Sequence, residues 1–489
     1  MADEKSILEQ FKGMKRQDLS DWERWGKKWF RRLLIGIPVS LFLIWLILLL
    51  LANHKLNNAK KRVAALGESL RYEDYAPPVV PAGENASIYL EKASQVILKN
   101  QSFFLPAPSG YGGGYPGMGP RPGMGPGPAI GPGFGEPVSL PGSTLPQFPN
   151  SAEDIKDLES WRDALADKRV VELLKIIDEA ASLENARYDT DYTRKPSYEI
   201  GSPSHLRYVD LIAQLLTVRA VLAMADGNRQ AAYQDVTLGY RLAYWVGQEH
   251  PGSSNAHMSG RLASRFWEST QRLFRSSPPN KQQRDALVAE AKRLMEAEFI
   301  IRGTMTQRII ASEMSDLWNS RSRAGGQPDA RVWLMNYLLR PWAAAYGAYM
   351  LDLHTRMIEM SKEPYYQKSL QEKQFRKDHP APWYLGLPPI APYPSLPRYH
   401  LRTQVFMLQI ACLLEDYREE KGNYPDSLDI LTDVPLDPYG GGPFHYQLKD
   451  GGYILYSISA NLQDDGGTPP SATSTWDPEG DIVWTMQPK

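Results

Sequence analysis

Hydrophobic and polar positions along the chain fall into three regimes. The first is a block: Leu33 to Ala52 reads LLIGIPVSLFLIWLILLLLA, without a charge, and has the length that a helix needs to cross a hydrocarbon core. The second is a three-and-four spacing of apolar residues, the signature of amphipathic helices. It predicts helices over Ser87 to Leu98, Ala152 to Leu183, Leu206 to Ala225, Arg229 to Gln248, Ser259 to Phe274, Lys281 to Arg302 and Val332 to Met360, then a further one over Tyr399 to Lys421. The third is alternation near the end of the chain. PFHYQLK and GYILYSIS read as two strands joined across Lys449, Asp450, Gly451 and Gly452, and DIVWTM, Asp481 to Met486, as a third. Residues that accept positive φ make that junction a hairpin turn.

A second apolar stretch, Val332 to Leu351, carries Asn336 and an Arg340-Pro341 pair at its centre. A charge there is expensive in lipid, so a packed helix is expected in preference to a second span. Between Pro106 and Pro149, Gly and Pro dominate and periodicity vanishes, which predicts a disordered insertion. The GGGYPG within it matches a dinucleotide fingerprint by chance, since no strand precedes it. Leu211 to Val246 resembles one tetratricopeptide unit in outline, turning at Asp226 and Gly227, and is expected to be a generic helical hairpin.

The expected fold is therefore α+β: a single N-terminal transmembrane helix, a mainly helical middle domain, and a small C-terminal helix with a three-stranded antiparallel sheet. The boundaries expected are a basic cytoplasmic segment at 1–32, the span at 33–52, a helical piece at 53–105, the insertion at 106–149, the helical domain at 150–379, a proline-rich connector at 380–398 and the last module at 399–489.

Charge refines the picture. Arg24, Lys27, Lys28, Arg31 and Arg32 crowd the N-terminal edge of the apolar block. The positive-inside rule then places the N-terminus in the cytoplasm and the bulk outside, as in a single-pass inner-membrane protein. The run ends in Asn53, His54 and Lys55 rather than a small-residue site, which disfavours a cleavable signal peptide. A formal net charge of -1 gives no basic surface for nucleic acid. From Asn423 onward ten acidic residues face only Lys449 and Lys489, a balance that suits a cation. The single cysteine, Cys412, excludes an internal disulfide and a Cys-based zinc site. No HExxH, GxSxG or Walker pattern occurs, and the one neighbouring His pair, His250 and His257, is interrupted by Pro251.

A helix followed by YP at Tyr424 and Pro425, then LDPYGGGPFHY, YSISANLQDDGG and GDIVW, resembles the C-terminal half of the major pseudopilins of type II secretion systems. That resemblance implies a calcium-bearing loop before the last strand. By position it puts Ser457 and the backbone near Ile458 at the start of the loop, Asn461 at its first acidic ligand, and Asp481 at the acidic residue before the final strand; Asp464 and Asp465 supply carboxylates between them. Calcium takes about six to eight oxygens, so such a set is chemically adequate. The N-terminus departs from the family: with Gly36 as a leader's end, the fifth following residue is Leu41 rather than Glu. The expectation is a membrane-anchored, extracytoplasmic structural or interaction protein of the cell envelope with a protein partner. The alternatives are an envelope hydrolase with a site among the helices, and an atypical secretion or pilus component.

Overall fold

The computed structural model describes residues 16–104, 145–146, 155, 157–193, 206–248, 253–313, 334–335, 337–378, 396–470 and 480–487. Nearly all of the Gly/Pro insertion and of the proline-rich connector lies outside them. The chain forms α1 (Arg16–Ala65), α2 (Ala86–Lys99), α3 (Leu158–Ala166), α4 (Lys168–Glu179), α5 (Leu206–Ala225), α6 (Arg229–Gln248), α7 (Ser253–Ser276), α8 (Lys281–Glu296), α9 (Phe299–Ser312), α10 (Arg340–Met360), α11 (Tyr365–Asp378) and α12 (Leu396–Lys421). Three strands follow, β1 (His445–Lys449), β2 (Gly452–Ser457) and β3 (Ile482–Met486). The molecule is thus mostly helical, with an apolar N-terminal helix and one small antiparallel sheet of order β1-β2-β3.

Two compact units divide the chain, one of Met1–Leu70 with Ala311–Asp352, the other of Arg71–Ile310 with Leu353–Lys489. In the first, α1 runs well past the apolar block. Its large apolar side chains up to Leu51 point mostly into open space, and then the character changes: Ala52, Leu56, Ala59 and Val63 form a buried stripe with Ala311, Ala344, Ala348 and Leu351. Spacings of four, three and four make that stripe a seam of the coiled-coil kind, and alanines four apart on α10 let the helix axes approach closely. Arg62 donates to Asp352 beside it. Pro341 stands at the first turn of α10, where its missing N–H costs nothing.

In the second unit, α5 and α6 form the expected hairpin. Gly227 takes φ +77°, the left-handed cap that ends a helix, and the Asn228 side chain accepts from Ala231 N at 3.1 Å to start the next. α5, like α1, is long and apolar enough to cross a membrane by composition, yet Ile212, Ala213, Leu215 and Leu216 are wholly buried. It is the central core helix, surrounded by protein. Close packing of α6 depends on Gly239, where a Cβ would lie 2.2 Å from the Phe266 ring.

Two expected helices are each split. The run Ala152 to Leu183 breaks at Asp167, which caps α4 by accepting from Arg169 N at 2.8 Å. Lys281 to Arg302 breaks at Glu298, whose φ is +52°. Asn280 opens α8 with a full capping box to Gln283.

The C-terminal helix and sheet share one hydrophobic core with the helices before them. Trp484 on β3 is completely buried, edge-on to Phe274 at 5.2 Å and to Trp267 at 5.8 Å, both on α7. Arg284 of α8, buried, grips Asp416 and Glu419 of α12 at 2.7 and 2.6 Å.

Candidate functional site

The C-terminal loops are built around two buried carboxylates. The first, Asp437, belongs to the Gly-rich stretch LDPYGGGP. Its N–H donates to Gly442 O and its carbonyl accepts from Gly441 N, both at 2.8 Å, so the chain closes into a tight loop. Gly441 adopts φ +72°, and a Cβ there would lie 2.7 Å from the Tyr366 ring, so only glycine fits. Inside the loop the Asp437 carboxylate accepts from Tyr439 N at 2.9 Å and from the Ser457 hydroxyl at 2.8 and 2.9 Å. Burial raises its pKa, against the pull of those hydrogen bonds. The carbonyls of Pro438 and Tyr439 accept from the first N–H groups of α11, those of Tyr365 and Tyr366, at 3.1 and 3.2 Å. The glycines of this stretch therefore serve a structural knot that joins loop, strand end and helix start.

The second carboxylate is Asp481, set at the foot of β3. Gly480, at φ +104°, allows its placement, since a Cβ there would collide with Pro470 N at 2.6 Å. Asp481 N–H donates to Thr468 O at 2.8 Å, and Asp481 Oδ2 accepts from Gly467 N at 2.8 Å. Its Oδ1 is buried and receives no hydrogen bond among the described residues. Burial pushes the Asp481 pKa up, the Gly467 and Asp465 N–H groups oppose the shift, and the charges of Asp465 and Asp464 add to it. An orphaned buried carboxylate oxygen is costly unless a proton or a cation meets it.

The rest of the loop is held by short-range bonds. Asn461 accepts from Gln463 N at 3.1 Å and donates through Nδ2 to Asp465 Oδ2 at 2.8 Å. Asp464 accepts from Gly466 N at 2.9 Å, which lowers its pKa, and its other oxygen lies 3.5 Å from His445 Nδ1. His445 in turn stacks on Tyr456 across the β1-β2 pair, centroids 4.8 Å apart. Ser459 and Leu462 both take positive φ, at +55° and +58°, without being glycine.

The five residues implied by the pseudopilin resemblance thus divide. Asn461 and Asp465 are directly bonded, and Asp481 feels the charge of Asp464 and Asp465. Ser457 turns the other way, its hydroxyl spent on Asp437. Among the described residues no three His, Cys, Asp or Glu side chains come together in a metal-holding cluster. Asp437 was not expected as a site residue. Its signal was the glycine run following it, of which Gly441 combines a positive φ with a close approach to the Tyr366 ring.

Compared with protein-family models, with curated proteins and with solved structures, the chain matches none of them.

Proposed function

We propose that this chain is a single-pass, membrane-anchored structural or interaction protein of the cell envelope, its bulk on the extracytoplasmic side. The observation that carries the reading is the run of outward-facing apolar side chains on α1 from Leu33 to Leu51, contiguous and free of charge. Exposed in water, such a surface drives association; inserted in a bilayer, it is at rest. Arg24, Lys27, Lys28, Arg31 and Arg32 stand before it, and the nearest cations after it are Lys55 and then Lys60, Lys61 and Arg62, a balance that favours a cytoplasmic N-terminus.

The helical unit offers packed, capped helices that suit a protein partner. Nothing basic enough for nucleic acid accompanies them. The terminal helix and sheet follow the pseudopilin order. Calcium would be held near Asp481, with Asp465, Asp464 and Asn461 and neighbouring carbonyl oxygens as donors. Its charge would satisfy the orphaned Asp481 Oδ1 and stiffen the loop before β3.

The reading is tested by fractionation of cells that produce the full chain, followed by protease added outside spheroplasts. The expected result is recovery in the membrane fraction, resistance to extraction by carbonate, and digestion of the part after α1. Recovery in the soluble fraction, or a large portion left intact by outside protease, overturns it.

A further inference from the structure

The anchor helix is not bare all round. Between Leu41 and Leu51 the only half-buried side chains are Trp45, Leu46 and Leu49, which continue at helical spacing into the buried stripe beginning at Ala52. What lies on this face at Trp45 comes from the second apolar stretch. Tyr337 stacks on the Trp45 ring, centroids 4.6 Å apart and planes 23° from parallel, and the Trp45 indole N–H donates to Leu338 O at 3.0 Å. Further along, Arg62 meets Asp352. These two pairs fix the first half of α10 alongside α1 and running in the same direction.

We propose that Leu334, Met335, Tyr337 and Leu338, which lead into α10, are inserted into the extracytoplasmic half of the bilayer beside α1, so that the protein holds the membrane by two elements of which only one crosses it. This rests on the reading of α1 as the membrane span. The occupant of the face is lipid acyl chain. Trp45 lies seven residues before Ala52, about 10 Å along a helix, and half of a hydrocarbon core is about 15 Å. Whatever stacks on Trp45 is therefore at membrane depth. Leu334, Met335 and Leu338 are 50%, 62% and 52% exposed, large apolar side chains within three residues of the Tyr337 ring that stacks on Trp45.

The backbone meets the demands of that setting. Leu339 N–H donates to Met335 O at 3.0 Å and Ala343 N–H to Leu339 O at 2.9 Å, and the Leu338 carbonyl is taken by Trp45, so these groups find partners inside the protein. The charge of Arg340 excludes a full crossing, but it does not forbid a shallow insertion. Its guanidinium lies 5.1 Å from the Tyr337 ring, whose face attracts the charge where water is scarce.

The test uses the full chain in a Cys412→Ala background, reconstituted in phosphatidylcholine and phosphatidylglycerol vesicles. Met335→Cys and Leu338→Cys are compared with Leu48→Cys on the anchor and with Val79→Cys, 84% exposed outside the first unit. A thiol in hydrocarbon stays protonated, so a charged maleimide should label positions 335, 338 and 48 about tenfold or more slowly than position 79. A fluorophore placed at 335 or 338 should also be quenched by nitroxide on the lipid acyl chain. Labelling of 335 and 338 as fast as 79, with 48 protected, overturns the insertion and leaves the anchor intact. Labelling of 48 as fast as 79 removes the anchor reading and the insertion with it. Protection of 335 and 338 without quenching by lipid means that protein, such as a second copy of the chain, covers them, and also overturns the proposal.

Discussion

Single residues carry the electrostatics of the C-terminal loops. Asp481 and Asp437 are both buried and both have pKa values raised above the ordinary 3.8. A folded-state pKa above the unfolded one means that the folded chain binds more protons between the two values. Without a divalent cation, stability is then expected to fall as pH rises through the window that begins at the ordinary aspartate value. Asp481→Asn removes the uncompensated charge. In chelator at about pH 7 it should be more stable than the parent by about 1 kcal/mol, a difference that closes as pH falls toward 4. Calcium should raise the melting temperature of the parent and leave the variant unchanged. A parent chain indifferent to calcium in this assay sinks the calcium proposal. The knot at Asp437 behaves differently, because Asp437→Ala leaves Tyr439 N–H and the Ser457 hydroxyl unpaired in the core, and each such group costs about 1–3 kcal/mol. Loss of stability independent of calcium is expected in urea titrations, and an unchanged midpoint would refute the structural role.

At the level of elements, the contact between α8 and α12 is governed by Arg284. Its side chain is buried, it also donates to Pro279 O at 2.6 Å, and its two carboxylate partners are partly exposed. Because Asp416 and Glu419 can be rehydrated when the partner is lost, Arg284→Met should cost about 2 kcal/mol rather than the larger figure for a stranded buried charge. Arg284→Lys should not restore it, since an ammonium cannot address both carboxylates with planar, paired donors. Full rescue by lysine in denaturant titrations would show that charge alone matters. The helices were largely legible from sequence for a simple reason: a three-and-four apolar spacing forces the same face inward wherever the helix is placed. Boundaries were not legible where a local bond interrupts the pattern. Asp167 caps α4 in the middle of an unbroken apolar rhythm, and Glu298 enters positive φ within another. The β1-β2 turn was legible, because Asp450 and Gly451 both take positive φ and few other pairs would do so.

For the whole molecule, the sharing of one core between helices and sheet has a direct consequence. Trp484 and its neighbours on β3 are covered by α7, so a fragment of residues 399–489 would expose that surface. Expressed alone, the fragment is expected to lack a cooperative thermal transition. A sharp transition in calorimetry would show that the module is autonomous. The sequence by itself determined the apolar N-terminal helix, the helical character of most of the chain, the helix-then-three-strand order of its end and the acidic bias there. These follow from periodicity and composition, which act locally. Tertiary structure alone decided that Ser457 serves Asp437, that one Asp481 oxygen is buried without a hydrogen-bond donor among the described residues, and that Trp45 and Tyr337 meet although nearly three hundred residues lie between them. Such pairings depend on which faces the helices present to each other once packed, and no spacing along a single chain encodes that.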